Sequence, residues 1–198
     1  MENQNKIQEM KDKALKEDVP IIQDDALRFL LNYLKENHVL RILEVGTAVG
    51  YSAIMMCSVN ENITVTTIER DEKRYLEALQ NIKKLQLEER ISLIFKDAFD
   101  VTLEEEYDFI FIDAAKAQNK AFFEKFEKYL KPGGTILTDN MKFHGLVDQK
   151  EETIPSRNLR GLVRKIKEYK VFLENHPGYI TTFYPYGDGL AVSRKREG

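Results

Sequence analysis

Apolar, strand-like runs alternate with helical stretches over residues 40–138, and this alternation constrains the fold more than any other feature of the chain. Strands that are separated by helices pair in parallel through right-handed crossovers. The pattern therefore predicts a doubly wound α/β sheet. Its strand-like runs are Leu40–Val45, Ile63–Ile68, Ile91–Phe95, Phe109–Ile112 and Thr135–Leu137.

Helical signals fill the gaps between these runs and also precede them. Asp71 has the short polar side chain of a helix N-cap, and Pro132-Gly133-Gly134 is a sequence that ends a helix. Residues 3–18 are charged and helix-favouring up to Pro20. The predicted helices after that proline are Ile21–Glu36, Tyr51–Ser58, Asp71–Leu85 and Asn119–Leu130.

The C-terminal part of the chain has a different pattern. Tyr179–Tyr186 and Leu190–Arg194 flank Gly187-Asp188-Gly189, and this arrangement predicts an antiparallel hairpin. Together with five parallel strands it gives a mostly parallel, seven-stranded sheet. Such an ending is less typical of a dinucleotide-binding Rossmann domain than of the Rossmann-like class I S-adenosylmethionine (SAM) methyltransferases. We expect one domain over residues 1–198, with N-terminal helices in 1–37 and the α/β core in 40–198.

Composition excludes several classes of protein. No apolar run approaches the roughly 20 residues of a bilayer span, and the N-terminus lacks the apolar stretch of a signal peptide, so no membrane partner is expected. Cys57 is the only cysteine, which is typical of a reducing compartment and predicts a cytoplasmic location. The net charge is -3, but residues 151–198 carry nine Lys or Arg against six Asp or Glu.

Three successive strand ends carry residues suited to a nucleotide-like cofactor. Glu44-Val-Gly46-Thr-Ala-Val-Gly50 lies between a strand and a helix, where glycines let the backbone approach a ligand closely. Glu69 can accept hydrogen bonds from ribose hydroxyls, and Asp97-Ala98 can reach an adenine amine. Glu44 would repel a pyrophosphate but suits the cationic methionyl end of SAM. These residues therefore favour SAM over NAD.

A hard-oxygen metal site is predicted beside this cofactor. Asp113, Asp139 and Asn140 each follow an apolar, strand-like run. Carboxylate and amide oxygens are the ligands that Mg²⁺ or Mn²⁺ prefers. A metal ion beside SAM indicates methyl transfer to an oxygen.

The combination of motifs resembles the cation-dependent O-methyltransferases, the group that includes caffeoyl-CoA and catechol O-methyltransferases. The resemblance covers roughly residues 19–195 and rests on the stretches quoted above, with Phe111-Ile-Asp113-Ala-Ala-Lys116 and Gly133-Gly-Thr-Ile-Leu-Thr-Asp139-Asn140. It implies metal ligands at Asp113, Asp139 and Asn140, and catalytic roles for Lys116 and Asp113. Asn119 stands where members often have an aromatic residue, which predicts a different substrate-facing surface. The implied cofactor contacts are Glu44, Gly46, Tyr51, Ser52, Glu69, Asp97, Ala98 and Asp113.

A basic stripe indicates a phosphate-bearing acceptor. On a helix over residues 157–170, four basic side chains lie opposite an apolar face, and Lys142 and Arg194 extend the basic set. Two C-terminal stretches, residues 138–146 and 175–196, are similar to short bacterial members that methylate 5-hydroxyuridine at the tRNA wobble position. The predicted contacts for the tRNA anticodon loop are Lys142, Arg157, Arg160, Arg164, Lys167 and Arg194.

Three alternatives to tRNA methylation remain open from the residues. A methyltransferase for small catechols or hydroxycinnamoyl compounds would use the same site, with the basic stripe simply solvated. A non-catalytic RNA-binding module would not need Asp113, Asp139, Asn140 and Lys116 together, and an NAD-dependent reductase would bind NADH tightly. The family resemblance also implies a homodimer.

Overall fold

A seven-stranded sheet organises the computed structural model, which describes residues 2–197. Across the sheet the strand order is β3-β2-β1-β4-β5-β7-β6. The first five strands pair in parallel, whereas β7 runs antiparallel to both β5 and β6. The strands are β1 (Arg41–Val45), β2 (Thr64–Glu69), β3 (Ile91–Phe95), β4 (Tyr107–Ile112), β5 (Leu130–Thr138), β6 (Tyr179–Tyr184) and β7 (Leu190–Lys195).

Helices cover both faces of the sheet, so the predicted doubly wound architecture is confirmed. Side chains of β4 alternate between two apolar cores: Phe109 and Phe111 pack with the first four helices, and Ile110 and Ile112 pack with the last two. The helices are α1 (Glu2–Lys16), α2 (Asp24–Glu36), α3 (Tyr51–Cys57), α4 (Glu72–Lys84), α5 (Asn119–Phe126) and α6 (Arg157–Asn175). Among residues 2–197, no helix has the length and apolar character that a membrane span requires.

Local signals set the starts of two helices. Asp71 is the N-cap of α4, as predicted, because its carboxylate accepts a hydrogen bond from the Arg74 backbone N–H at 2.9 Å. The predicted start of α2 at Ile21 is wrong, since the helix begins at Asp24. Residues 20–23 are not helical and run past the carboxyl ends of the strands, where they border the cavity described below.

The prediction of a helix from Asn119 to Leu130, ended by Pro132-Gly133-Gly134, is also wrong. The α-helix ends at Phe126, a short 3₁₀ turn follows, and the Pro-Gly-Gly sequence lies inside β5. A register shift between β4 and β5 at this position accommodates the irregular sequence. Gly134 is required there because a Cβ atom would lie 2.9 Å from the Asp108 carbonyl oxygen.

The predicted C-terminal hairpin is confirmed, but residues 185–189 form a longer loop than a tight turn. Its last residue, Gly189, has φ +85°, and a Cβ atom there would lie 2.8 Å from the Lys142 side chain. The hairpin loop therefore packs directly against the segment that follows β5. Two backbone hydrogen bonds join them, from Met141 N–H to the Gly189 carbonyl and from Lys142 N–H to the Asp188 carbonyl.

Candidate active site

A cavity of about 450 Å³ lies at the carboxyl ends of the parallel strands. Ligands bind at this edge in doubly wound sheets, because the loops that follow the strands converge there. The structure brings most of the predicted site residues together in its wall. Those that line it are Gly46, Glu69, Asp97, Ala98, Asp113, Lys116, Asp139 and Asn140.

The glycine turn after β1 brings two strand ends into close contact. Gly46 has φ +100°, and a Cβ atom at this position would lie 2.2 Å from the Asp113 carbonyl oxygen. Only a glycine allows the turn to lie against the end of β4. The Ala48 backbone N–H at the same turn donates to Glu69 Oε2 at 2.8 Å, so the turn also fixes the carboxylate at the end of β2.

Three of the predicted cofactor residues lie beneath this turn, outside the cavity lining. Glu44 is fully buried and accepts hydrogen bonds from the hydroxyls of Ser52 and Thr67, the second at 2.5 Å. Burial raises the pKa of Glu44 to about 8. Tyr51 is buried at the start of α3. In this structure Glu44, Tyr51 and Ser52 support the turn from below.

An acidic side chain marks the far end of the cavity. Asp97 accepts a hydrogen bond from the Phe99 backbone N–H at 2.9 Å and one from the Arg70 guanidinium at 3.2 Å. These donors hold the pKa of Asp97 below its ordinary value. The Asp97 carboxylate is therefore ionised and oriented, as hydrogen bonding to a ligand amine requires.

The predicted metal ligands lie together at the opposite end. Asn140 Nδ2 donates to Asp113 Oδ1 at 3.2 Å, and the Asn140 backbone N–H donates to Asp139 Oδ1 at 2.6 Å. Burial raises the pKa of both carboxyl groups, and the Asp113 charge raises that of Asp139 further. Two carboxylates that repel each other at a partly buried site are stabilised by a cation.

This donor set fits a hard divalent ion. Within residues 2–197, no group of three His, Cys, Asp or Glu side chains forms a metal site, so the third donor would be the Asn140 amide oxygen. A half-turn of that amide would direct Oδ1 instead of Nδ2 towards Asp113. Two carboxylates and one amide oxygen suit Mg²⁺ or Mn²⁺, which keep further positions for water and substrate oxygens.

Lys116 supplies the positive charge beside this acidic pair. It begins a 3₁₀ turn after β4, and its charge opposes the rise in pKa of both carboxyl groups. Its Nζ lies 5.7 Å from the centre of the Phe143 ring. Asn119, at the position where an aromatic residue is common, is buried at the start of α5 and does not line the cavity. The aromatic contact of Lys116 is made by Phe143 instead.

The loop after the metal ligands has an unusual backbone. Asn140, Phe143 and His144 all have positive φ values, as does Gly145. Such conformations cost roughly 1–3 kcal/mol each for residues other than glycine, so surrounding contacts must hold them. Asp188 supplies one, since its Oδ1 accepts the His144 backbone N–H at 2.5 Å.

Sequence reasoning missed several residues of the cavity wall. Asp188 was interpreted as a turn residue within a stretch that resembles the family, and no role in the site was assigned to it, although its Gly-Asp-Gly context signals a close approach of two backbones. The non-helical segment after Pro20 contains no residue type that indicates a binding site. Arg70, Arg74 and Lys96 also line the cavity, but in the sequence they are indistinguishable from solvent-exposed charged residues. The missed residues include Pro20, Ile21, Gln23, Arg70, Arg74, Lys96, Gln118, Phe122 and Asp188.

The predicted tRNA contacts do not form one surface. Arg157 begins α6, a helix that packs against the loop that follows the metal ligands. Arg194 instead pairs with Thr135 and lies towards the amino ends of the parallel strands. Its prediction as part of the same basic field is wrong, because β7 is antiparallel and carries its last residues away from the cavity. Arg194 instead borders a second cavity of about 400 Å³ at that opposite edge.

Two other members of the basic stripe hold local structure. The Arg160 guanidinium donates to the Ile154 carbonyl oxygen at 2.7 Å, and Lys167 Nζ donates to the Gln149 carbonyl oxygen at 3.3 Å. Arg164 is exposed and also has an interaction within the protein. Lys142 is partly buried next to the hairpin loop. Arg160 and Lys167 of the basic stripe therefore stabilise the backbone of residues 149–155.

The sequence matches a family model described as O-methyltransferase over residues 1–196. The chain belongs to this O-methyltransferase family. Among curated relatives, it is 32% identical to the tapetum-specific methyltransferase 1 of Arabidopsis thaliana, with 89% of this chain and 77% of the relative covered. It is 31% identical to the caffeoyl-CoA O-methyltransferase of Populus kitakamiensis, with 86% and 76% covered.

Solved structures agree with this family assignment. A predicted caffeoyl-CoA O-methyltransferase from Staphylococcus aureus superposes on this O-methyltransferase with a TM-score of 0.91 and 39% identity, covering 96% of this chain and 91% of the other. An O-methyltransferase from Bacillus cereus, in complex with SAH, superposes with a TM-score of 0.83 and 26% identity, covering 97% of this chain and 91% of the other. The predicted class I SAM methyltransferase fold and the resemblance to caffeoyl-CoA-type O-methyltransferases are confirmed.

Proposed function

We propose that this O-methyltransferase moves the methyl group of SAM to one of two adjacent oxygens on an acceptor, with the help of a divalent cation. The observation that carries the proposal is the pair Asp113 and Asp139 in the wall of a cavity that also contains Glu69 and Asp97. Asn140 donates to Asp113 through its side chain and to Asp139 through its backbone N–H. The structure of the Bacillus cereus O-methyltransferase in complex with SAH supports the choice of cofactor.

Each end of the cavity has a distinct role in this proposal. Glu69 and Asp97 present carboxylates to the ribose hydroxyls and the adenine amine of SAM. The Gly46 turn admits the cofactor's chain next to Asp113. When SAM and the acceptor are both bound, the acceptor oxygen and the methyl carbon are held for in-line attack, and this positioning supplies much of the rate enhancement.

The acidic end and Lys116 perform the proton and charge chemistry. When bound, SAM supplies the methyl group and the cation lowers the pKa of an acceptor hydroxyl. Asp113, Asp139 and Asn140 would hold that cation. The acceptor hydroxyl would release its proton to water, and its oxygen would take the methyl group as the SAM sulfur keeps the electron pair of the broken carbon–sulfur bond, which leaves S-adenosylhomocysteine (SAH) as product. Lys116, beside the two carboxylates, stabilises the negative charge on the acceptor oxygen.

We propose 5-hydroxyuridine at the wobble position of tRNA as the acceptor. Its 5-hydroxyl and O4 are adjacent oxygens, as in a catechol, and an anticodon-loop base is single-stranded, so it can enter a pocket without loss of a base pair. Arg157 is exposed at the start of α6, the helix that packs against the loop after the metal ligands, and its charge supports recognition of a phosphate backbone. Action as a homodimer belongs to the same proposal, and light scattering of the purified protein tests it.

A second candidate acceptor is a small catechol or a hydroxycinnamoyl-CoA ester. Relatives named caffeoyl-CoA O-methyltransferases favour it. The same cation site would chelate the two phenolic oxygens, and the basic residues would be solvated or would contact a CoA phosphate. The two candidates differ in the size and charge of the acceptor, and not in the chemistry of transfer.

A parallel assay separates them. The protein is incubated with SAM and Mg²⁺ and with tRNA that contains 5-hydroxyuridine, with catechol or with caffeoyl-CoA, and each reaction is repeated with EDTA. EDTA-sensitive 5-methoxyuridine in nucleoside mass spectra, with little methylated catechol or ester, supports the tRNA proposal. Methylated small phenols with unmodified tRNA refute that acceptor, and transfer that survives EDTA refutes the role of the cation.

A further inference from the structure

Asp188 is a buried carboxylate in the cavity wall with one oxygen unsatisfied. The residue is 7% exposed, and its Oδ1 accepts the His144 backbone N–H at 2.5 Å. Its Oδ2 has no hydrogen-bond partner among the described residues. A buried, unpaired carboxylate oxygen is costly, and such groups in native proteins commonly indicate a missing water, ion or ligand.

The surroundings of Asp188 indicate which kind of partner would suit its Oδ2 atom. The His144 side chain is 73% exposed, and its Nδ1 is 4.0 Å from Oδ2, too far for a hydrogen bond. Asp188 lines the same cavity as Asp113 and Asp139, so its negative charge adds to theirs. A third negative charge beside Asp113 and Asp139 suits a cation and its bound water, and it opposes an anionic ligand.

Asp188 also holds the loop that carries the metal ligands. Its carboxylate and its carbonyl oxygen accept the backbone N–H groups of His144 and Lys142, respectively. These bonds restrain the positive-φ segment that begins at Asn140. One side chain in the cavity wall thus contacts the ligand loop through Oδ1, while its Oδ2 is buried without a hydrogen-bond partner within residues 2–197.

We propose that Asp188 is a positioning residue of the cation site, and this inference rests on the proposed function. Oδ1 holds the ligand loop, and Oδ2 accepts a hydrogen bond from a water molecule in the coordination shell of the ion. Groups that orient first-shell ligands in this way typically change metal affinity by about 10- to 100-fold when they are altered. Asp188 does not touch the transferred methyl group.

Two substitutions separate the roles of the two oxygens. Asp188→Asn is nearly isosteric and keeps an oxygen to accept the His144 N–H, but it replaces Oδ2 by a donor. Asp188→Ala removes both acceptors. The matched control is Asp148→Asn, which removes one negative charge from an exposed residue of the segment that follows the metal ligands. Mn²⁺ affinity is measured by electron paramagnetic resonance, and SAM affinity and circular dichroism verify the fold.

We expect Asp188→Asn to weaken Mn²⁺ binding about 10- to 100-fold with SAM affinity unchanged, and Asp148→Asn to bind Mn²⁺ like the unaltered protein. Normal Mn²⁺ affinity in Asp188→Asn, with a loss only in Asp188→Ala, would reduce Asp188 to a loop support and overturn the inference. If the unaltered protein binds no Mn²⁺, the proposed cation dependence itself fails.

A second measurement does not depend on the folding of any variant. In a crystal structure of the unaltered protein with Mn²⁺, we expect a water molecule bound to the ion within about 3.2 Å of Asp188 Oδ2. A direct bond from Asp188 to the ion, or the absence of such a water, contradicts the proposed role.

Discussion

Gly46→Ala tests whether the glycine turn is required for the close contact between β1 and β4. A Cβ atom at this position would lie 2.2 Å from the Asp113 carbonyl oxygen and 2.8 Å from its carbonyl carbon, and φ is +100°. The backbone conformation costs an L-residue about 1–2 kcal/mol. Overpacking against the main chain adds about 1–3 kcal/mol. We therefore expect a loss of about 2–5 kcal/mol in the free energy of unfolding, with weaker SAM binding.

Gly161→Ala provides the matched control for that substitution. Gly161 lies within α6, and no atom lies within 4 Å of the Cβ position. The same added methyl group should there stabilise the protein by up to about 1 kcal/mol, because alanine favours the helix. Urea unfolding of both variants, with calorimetry of SAM binding, measures the contrast. A Gly46→Ala protein as stable as the parent would refute the reasoning.

Three further predictions concern charged residues. The free energy of unfolding of the metal-free protein should fall as pH rises from about 4.5 to about 8, because folded Glu44, Asp113 and Asp139 retain protons that the unfolded chain releases. Glu44→Gln should make this slope shallower in urea titrations. Lys116→Ala should slow single-turnover methyl transfer by about 10²–10³-fold without weaker SAM or Mn²⁺ binding, and a loss of Mn²⁺ affinity would contradict its proposed role. The double substitution Lys142→Glu with Arg157→Glu should weaken tRNA binding and reduce its salt dependence in filter-binding assays. Arg194→Glu, at the opposite edge of the sheet, should change neither quantity. An equal effect of Arg194→Glu would contradict a tRNA surface at the carboxyl ends of the strands.

The strand-and-helix order was predictable because apolar periodicity dominates the core. Element ends were less predictable where tertiary contacts override local signals. Pro132-Gly133-Gly134 is the clearest example, since pairing of β5 with β4 places a helix-ending sequence inside a strand. Residues 20–23 are the converse case, in which apolar periodicity suggested a helix and the chain instead runs along the cavity.

Site residues that directly follow strands were predictable for a topological reason. The carboxyl ends of parallel strands meet at one edge, so Glu69, Asp113 and Asp139 could be grouped without coordinates. The position of Arg194 required strand direction, because an antiparallel strand ends at the opposite edge. The importance of Asp188 required burial and hydrogen bonding, which a turn-like sequence does not reveal.

The location of Asp188 explains why an antiparallel hairpin matters to a site built on parallel strands. Because β7 runs against β5, the loop that precedes β7 lies at the same edge as the loop that follows β5. That geometry lets the hairpin loop bind the backbone of residues 141–144 from the side. A parallel last strand would begin at the far edge, and the loop with the metal ligands would lose this support. The hairpin therefore connects the fold of the C-terminus to the chemistry of the candidate cation site.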